Sequence, residues 1–195
     1  MTKIVQIAGK AVPIRGDDID TDRITPARFL KTTTFDEEFL KGALFADDRK
    51  ILGGKKFSGA SVMIVNKNFG CGSSREHSPQ AIKAFGIKAL IGVSFAEIFA
   101  SNCEAIGLVT VRVSERKAVE LQAFVEEDPE AIIEIDLQEK LISYGDLDMH
   151  FEISEGARQN FLHGTWNITK TMVDAISETR RKAGAIPYVN GFKKN

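Results

Sequence analysis

One stretch of this 195-residue chain organises the rest: Asn68-Phe69-Gly70-Cys71-Gly72-Ser73-Ser74-Arg75-Glu76-His77-Ser78-Pro79. The apolar run before it, residues 61–65, predicts a buried strand, and residues 80–86 after it predict a helix that ends at a glycine. The stretch is therefore a glycine-rich turn between a strand and a helix start. Gly70 and Gly72 allow a tight turn and a close approach of a ligand to the backbone.

The turn carries the groups of an anion-binding site. Ser73 and Glu76 have the spacing of a capping box, which predicts that Ser73 or Ser74 caps the following helix. Amides at a helix start attract anions, and Arg75 can donate two hydrogen bonds to a carboxylate. Ser73 is also a candidate base, because nearby amides and a guanidinium would stabilise its alkoxide. The alternative is a capped helix that binds nothing, but two serines and an arginine at one helix start favour a site.

The composition argues against several classes of partner. The net charge of -1 argues against a nucleic acid or an anionic membrane held by general electrostatics. No apolar run is long enough to span a bilayer, and the first ten residues lack the apolar core of a signal peptide, so we expect a cytoplasmic protein. Cys71 and Cys103 lie far apart in the sequence, so we expect free thiols and no metal or iron–sulfur site formed by this chain alone.

Apolar runs alternate with helical patterns in the centre of the chain. Strands are expected at residues 62–65, 88–93 and 108–113, with a helix in each short connection. This βαβαβ order predicts an α/β fold with right-handed crossovers. We therefore expect a central, mostly parallel sheet with flanking helices.

The remaining expectations concern the two ends of the chain. Before residue 14 the pattern predicts one or two short strands broken at Gly9. Residues 131–144 predict a β-hairpin added to the sheet. Residues 154–184 predict C-terminal helices packed on the sheet, and residues 191–195 are expected to be disordered. The whole chain, residues 1–195, is expected to form a single domain.

Several known motifs do not fit the sequence. The dinucleotide-binding fingerprint needs glycine where the chain has Arg75, and the G-K-[ST] ending of a P-loop is missing. Residues 16–23 predict a polar loop that resembles the start of a calcium loop, but the match fails where glycine is required, at Arg23. A turn braced by its own aspartates is expected instead. Arg23, Arg28 and Lys31 form either a solvated surface or a second grip for a carboxylate.

The glycine turn resembles the active-site turn of the swivel domain in the aconitase superfamily. Together with residues 16–32 and 89–99, it resembles the small subunits of the 3-isopropylmalate dehydratases in that superfamily. The resemblance covers residues 16–113 well and the C-terminal third weakly. It implies the swivelling β/β/α domain of the superfamily.

The resemblance also implies an activity and roles for individual residues. It implies a hydro-lyase that isomerises 2-isopropylmalate and 3-isopropylmalate by dehydration and rehydration in leucine biosynthesis. A large subunit would complete the heterodimer and carry a [4Fe–4S] cluster that acts as Lewis acid on the departing hydroxyl. Ser73 would be the catalytic base, and Ser74, Arg75 and Gly72 would bind the substrate carboxylate. The loop that tends to set substrate choice corresponds to Arg28, Phe29, Leu30, Lys31 and Thr32.

Departures from the family pattern leave the substrate open. Residues 35–39 stand where a glycine-rich segment is expected, and Gln80 stands where an aromatic residue is commoner. One alternative is a small subunit of homoaconitase or of another substituted-malate hydro-lyase. Others are a phosphate- or nucleotide-binding regulatory domain, and a subunit that shapes its partner without touching substrate. Self-association of the isolated chain is also left open.

Overall fold

The computed structural model describes residues 2–31, 36–167, 173, 175–186 and 188. Its centre is a seven-stranded sheet with the strand order β4-β3-β2-β1-β5-β6-β7. The strands are β1 (Gln6–Ile14), β2 (Val62–Val65), β3 (Ala89–Gly92), β4 (Val109–Arg112), β5 (Ile132–Asp136), β6 (Leu141–Tyr144) and β7 (Leu147–His150). The α-helices are α1 (Thr21–Ile24), α2 (Glu37–Ala43), α3 (His77–Ala84), α4 (Glu97–Ala105), α5 (Glu115–Glu127), α6 (Glu155–His163) and α7 (Ile176–Ala185). Turns of 3₁₀ helix lie at Ala27–Lys31, Arg49–Leu52 and Gly54–Phe57.

The half of the sheet from β1 to β4 is parallel and confirms the predicted alternation of strands and helices. Every residue of β2 and β3 is buried, as is typical of parallel strands covered on both faces. The register pairs Ile14 with Val65 and Val65 with Gly92, so the carboxyl ends of β1, β2 and β3 are aligned. The loops that leave these three neighbouring strands therefore meet at one edge of the sheet.

The other half of the sheet is antiparallel. β5 pairs with β1, and β6 and β7 continue from it as a meander. The predicted hairpin is thus part of the central sheet, which has equal numbers of parallel and antiparallel pairings rather than a large parallel majority. β1 joins the halves because its residues 6–10 pair with β5 and its residues 11–14 pair with β2.

β1 runs unbroken through Gly9, where the sequence predicts a possible break. A Cβ atom at residue 9 would collide with the side chain of Ser61, which directly precedes β2. Close packing between the two strands explains this glycine, and no bend in the chain is needed.

One hydrophobic cluster extends through both halves of the sheet. α5 packs against β1 and β2 and buries Leu121 and Val125. The same helix buries Gln122, whose Nε2 donates to the carbonyl oxygen of Ile14 at 3.3 Å and to that of Ile64 at 3.2 Å. These bonds tie the ends of β1 and β2 together beneath the edge where the loops meet.

The C-terminal region agrees with the prediction in part. α6 begins with Ser154 as its N-cap and buries Phe161. α7 is also helical, but none of its side chains that the structure describes is buried. Within the predicted helical region, residues 168–172 and 174 lie outside the described residues, as do residues 191–195. Across the described helices, none combines the length and apolarity needed to cross a bilayer.

Candidate active site

A cleft of about 250 Å³ opens at the edge where the loops after β1, β2 and β3 meet. Its walls include the turn after β2 and the first turn of α4, which follows β3. The lining residues are Thr21, Gly70, Gly72, Ser73, Ser74, Arg75, Ala96, Glu97, Ile98 and Phe99. The cleft is small beside the pockets that hold drug-sized ligands, so it suits a compact metabolite. Four residues predicted from the sequence, Gly72, Ser73, Ser74 and Arg75, lie together in it.

Backbone hydrogen bonds hold the glycine turn from both sides. The amide of Gly70 donates to the carbonyl of Ile19 at 2.8 Å, and the amide of Thr21 donates to the carbonyl of Cys71 at 2.9 Å. On the other side, the amide of Ala96 donates to the carbonyl of Phe69 at 3.0 Å. The turn therefore continues the pairing of β1, β2 and β3 beyond the ends of the strands, which fixes the backbone beneath Ser73.

The glycines of the turn have the backbone conformation that the sequence predicts. Gly70 has φ of 78° and Gly72 has φ of 88°, both in the left-handed region. A Cβ atom on Gly70 would come closer than 3.0 Å to three ring carbons of Phe99. Gly70 is therefore needed for its φ and also for the close approach of the first turn of α4.

The predicted helix cap is wrong. α3 begins at His77, and the residue at its N-cap position, Glu76, makes no side-chain capping bond. Pro79 explains the late start, because it has no N–H to donate to the carbonyl of Arg75, four residues earlier. The first such bond comes from the amide of Gln80 to Glu76, at 3.2 Å. Ser73 and Ser74 lie before the helix, exposed in the cleft, so their hydroxyls are not used as caps.

Several amides at the cleft are available to an anion. Within the described part of the chain, the amides of Gly72, Ser73 and Ser74 donate to no protein acceptor. The N-cap residue of α4, Ala96, cannot supply a side-chain cap, so the first amides of that helix also lack one. Two sets of backbone donors thus border one cleft, an arrangement that attracts negative charge.

Arg75 forms an ion pair with Asp22 through Nη1. The Arg75 side chain is 16% exposed and the Asp22 side chain 53% exposed. Asp22 lies in α1 beside the buried Thr21, whose Oγ1 donates to the carbonyl of Ser73 at 2.9 Å. A guanidinium has five N–H donors, so the ion pair leaves others that can meet a carboxylate in the cleft.

The predicted specificity loop does not line the cleft in the described residues. Arg28 forms a two-bond ion pair with Asp47, at 2.7 and 2.5 Å, and Phe29 packs on Phe39 with ring centroids 5.5 Å apart. Leu30 is half-buried, Thr32 lies outside the described residues, and the side chain of Lys31 is not described either. A second neighbouring cation is also paired, since Arg23 binds Asp48 at 2.8 Å. Neither Arg23 nor Arg28 lines the cleft, so neither provides there the second carboxylate-binding group that the sequence left open.

The two cysteines lie outside any cluster of metal-binding side chains in the part of the chain that the structure describes. Both thiols are free, and burial raises the pKa of Cys71 and raises that of the deeply buried Cys103 well above its usual value. For Cys71, the charges of Asp18 and Asp20 raise the pKa further. No group of three or more His, Cys, Asp or Glu residues suited to a metal occurs among the described residues. This donor set does not fit an iron–sulfur cluster, which needs several thiolates.

Sequence reasoning missed three features that build the site. They are Thr21, which holds the turn, Asp22, which holds Arg75, and the first turn of α4. The signal was present in the fold prediction, because loops that follow neighbouring parallel strands meet at the carboxyl edge of a sheet. Applied to the loops after β1 and β3, that rule would have placed all three beside the glycine turn.

Residues 1–116 match the family model described as the aconitase C-terminal domain. The chain therefore belongs to that family. Within it, the chain is 44% identical to the 3-isopropylmalate dehydratase small subunit of Synechocystis sp., over 97% of each chain. It is 45% identical to the same subunit of Thermus thermophilus, over 96% of this chain and 97% of that one. The 3-isopropylmalate dehydratase small subunits are thus the branch to which it belongs.

A solved structure agrees with this assignment. The structure of 3-isopropylmalate dehydratase (leuD) from Methanocaldococcus jannaschii has a TM-score of 0.67 and 32% sequence identity to this chain. The match covers 89% of this chain and 99% of that one. The swivel-type α/β fold expected from the sequence is confirmed.

Proposed function

We propose that this chain is the small subunit of a two-subunit hydro-lyase that interconverts 2-isopropylmalate and 3-isopropylmalate in leucine biosynthesis. The observation that carries the proposal is the cleft in which Ser73, Ser74 and Arg75 share a small space with backbone amides that have no acceptor among the described residues. Relatives across nearly the whole chain carry that enzyme's name. We treat residues 1–195 as one swivel-type domain, working in the cytoplasm, where its two free thiols would stay reduced.

The polar wall of the cleft would bind the diacid. Arg75, the hydroxyl of Ser74 and the amide of Gly72 can each donate a hydrogen bond to one carboxylate. Binding there places the carbon next to that carboxylate beside Ser73. The proposed specificity loop remains the segment Arg28, Phe29, Leu30, Lys31 and Thr32. Its place in the chain supports this role, because it follows shortly after α1, whose Asp22 contacts Arg75.

Ser73 would move the proton. Its Oγ, as alkoxide, takes the proton from the carbon next to the bound carboxylate, and the substrate hydroxyl departs from the adjacent carbon, leaving a double bond. In the second half of the reaction Ser73 returns the proton to one carbon while hydroxide adds to the other carbon, so that Ser73 is again the alkoxide with which it began. Amides and the Arg75 guanidinium stabilise the alkoxide form, because both place positive charge near the oxygen.

The departing hydroxyl needs help from outside this chain. We place a [4Fe–4S] cluster on the large subunit, where it would supply Lewis-acid chemistry at that hydroxyl. The described residues offer no donor set that fits such a cluster, and the small-subunit name of the relatives implies a partner.

The test is an assay of the chain with its large subunit, using 2-isopropylmalate, a homocitrate-type acid and methyl-substituted malates. We expect isopropylmalate to give the highest kcat/KM. Ser73→Ala should lower kcat by about 100-fold or more and change KM less than about threefold, because only proton transfer is removed. Ser58→Ala, at an exposed serine outside the cleft, is the matched control and should be unaffected. Full activity of Ser73→Ala would refute the role of Ser73, and a preference for another acid would correct the substrate.

A further inference from the structure

α4 separates two clefts. On one side its first turn lines the candidate active site. On the other side lies a second cleft of about 470 Å³, bordered by Glu97, Ala100, Ser101 and Glu104 of α4 and by the segment around Glu152. Glu97 borders both clefts, so α4 forms a ridge between them.

The ridge carries an exposed apolar side chain at the active-site rim. Ile98 lines the catalytic cleft and is 57% exposed. A single exposed isoleucine is ordinary on a protein surface, so exposure alone means little. This one, however, lines the same cleft as Ser73, which we assign to catalysis, and any group that completes the site must approach there.

All the charged side chains of α4 are acidic. The helix has two acidic residues and no lysine or arginine. Glu104 accepts a hydrogen bond from Asn160 Nδ2 at 2.7 Å, whereas Glu97 has no hydrogen-bond or ion-pair partner in the described part of the chain. The ridge thus offers an apolar anchor next to an unpaired negative charge, which fits a partner with an apolar pocket and a basic side chain.

We infer that the α4 ridge is a docking surface for the large subunit, with Ile98 as its apolar anchor and Glu97 as its charged contact. This inference rests on the proposed function. If the partner supplies chemistry to a substrate held by Ser73 and Arg75, its surface must come within a few ångströms of the cleft. Because the cleft is small and the first turn of α4 is one of its walls, a partner that closes the cleft also covers Ile98.

The test is the affinity between the chain and its large subunit, measured by biolayer interferometry. Ile98→Ala should raise Kd by about tenfold or more, as expected for an anchor residue in an interface. Ile132→Ala is the matched control, since this isoleucine is 47% exposed on β5 and should leave Kd unchanged. Glu97→Gln should slow association and weaken its dependence on salt. The melting temperature of each variant checks that it is folded.

Activity assays separate the possible occupants of the ridge. Activity lost by Ile98→Ala at limiting large subunit should return when that subunit is in excess, which supports the inference. An unchanged Kd overturns it. If the KM for isopropylmalate rises while Kd is unchanged, Ile98 contacts the substrate instead. If Ile98→Ala converts a self-associated chain to monomers without changing Kd, a second copy occupies the ridge. In each case the activity of the wild-type chain with its large subunit tests the proposed function separately.

Discussion

Replacing Gly70 by alanine tests how the glycine turn and α4 are built together. The residue has φ of 78°, and an alanine in that region costs about 1–2 kcal/mol. The added Cβ would overlap the ring of Phe99, which is 3% exposed and packs edge-on against Phe69 at 5.5 Å between centroids. Overpacking of a closed site adds about 1–3 kcal/mol. We therefore expect Gly70→Ala to lower the free energy of unfolding by about 2–5 kcal/mol.

The assay is urea denaturation followed by circular dichroism, with the variant Gly42→Ala as control. Gly42 lies in α2 with no atom within 4 Å of an added Cβ, so its replacement should stabilise the protein by about 0.5–1 kcal/mol. A loss below about 1 kcal/mol for Gly70→Ala would contradict both the φ and the contact with Phe99.

A double-mutant cycle separates the cost of the positive φ at residue 70 from the cost of overpacking against Phe99. Phe99→Leu removes most of the ring that the new Cβ meets, but it leaves φ at residue 70 unchanged. The double variant should therefore be more stable than the sum of the single effects predicts, by about 1–3 kcal/mol. Simple additivity would show that the backbone conformation alone makes the glycine necessary.

Two further predictions concern charged residues. Arg75→Lys keeps the charge opposite Asp22, so stability should change by less than about 1 kcal/mol. Steady-state kinetics should show a kcat lowered by about tenfold or more with a small change in KM, because lysine cannot donate the two parallel bonds that orient a carboxylate. Hydrogen bonds from Arg158, Gln159 and Lys140 hold the pKa of Glu155 at about 2, below its usual 4.5. A carboxyl with a lowered pKa stabilises the fold above the unfolded-state pKa and loses that effect as the pH falls through the folded-state value, so Glu155→Gln should lower the melting temperature at pH 7 and match wild type near pH 2.

The parallel half of the sheet could be predicted because its strands are short, uninterrupted apolar runs separated by helices. The partner of β5 could not, since pairing across more than a hundred residues leaves no local pattern. Gly9 was misleading because a small residue in a strand marks either a bend or a close neighbour, and only the structure reveals Ser61. α1 was missed because its residues are mostly polar. It forms because Asp20 accepts a bond from the amide of Arg23 at 2.7 Å.

The site was predicted where its chemistry lies on consecutive residues. Ser73, Ser74 and Arg75 follow one another, so their residue types alone indicated an anion site. Their geometry was predicted less well, because the capping-box spacing competes with a proline six residues after Ser73. The missing N–H of Pro79 prevents the helix from reaching back to the serines. The start of the helix is therefore set by the missing backbone donor of Pro79 and not by the capping-box spacing of Ser73 and Glu76.

The ion pair between Arg75 and Asp22 limits how much Arg75 can contribute to the binding free energy of a diacid. A substrate carboxylate that reaches Arg75 must share the guanidinium with Asp22 or displace it, and the displaced carboxylate is already half-exposed, so water can hydrate it at little cost. Exchanging one carboxylate for another at the same cation changes the free energy little. The affinity must therefore come mainly from donors that have no partner in the described part of the chain, which are the amides of residues 72–74 and those at the start of α4. Arg75 then mainly sets the orientation of the bound carboxylate, and thereby which carbon faces Ser73.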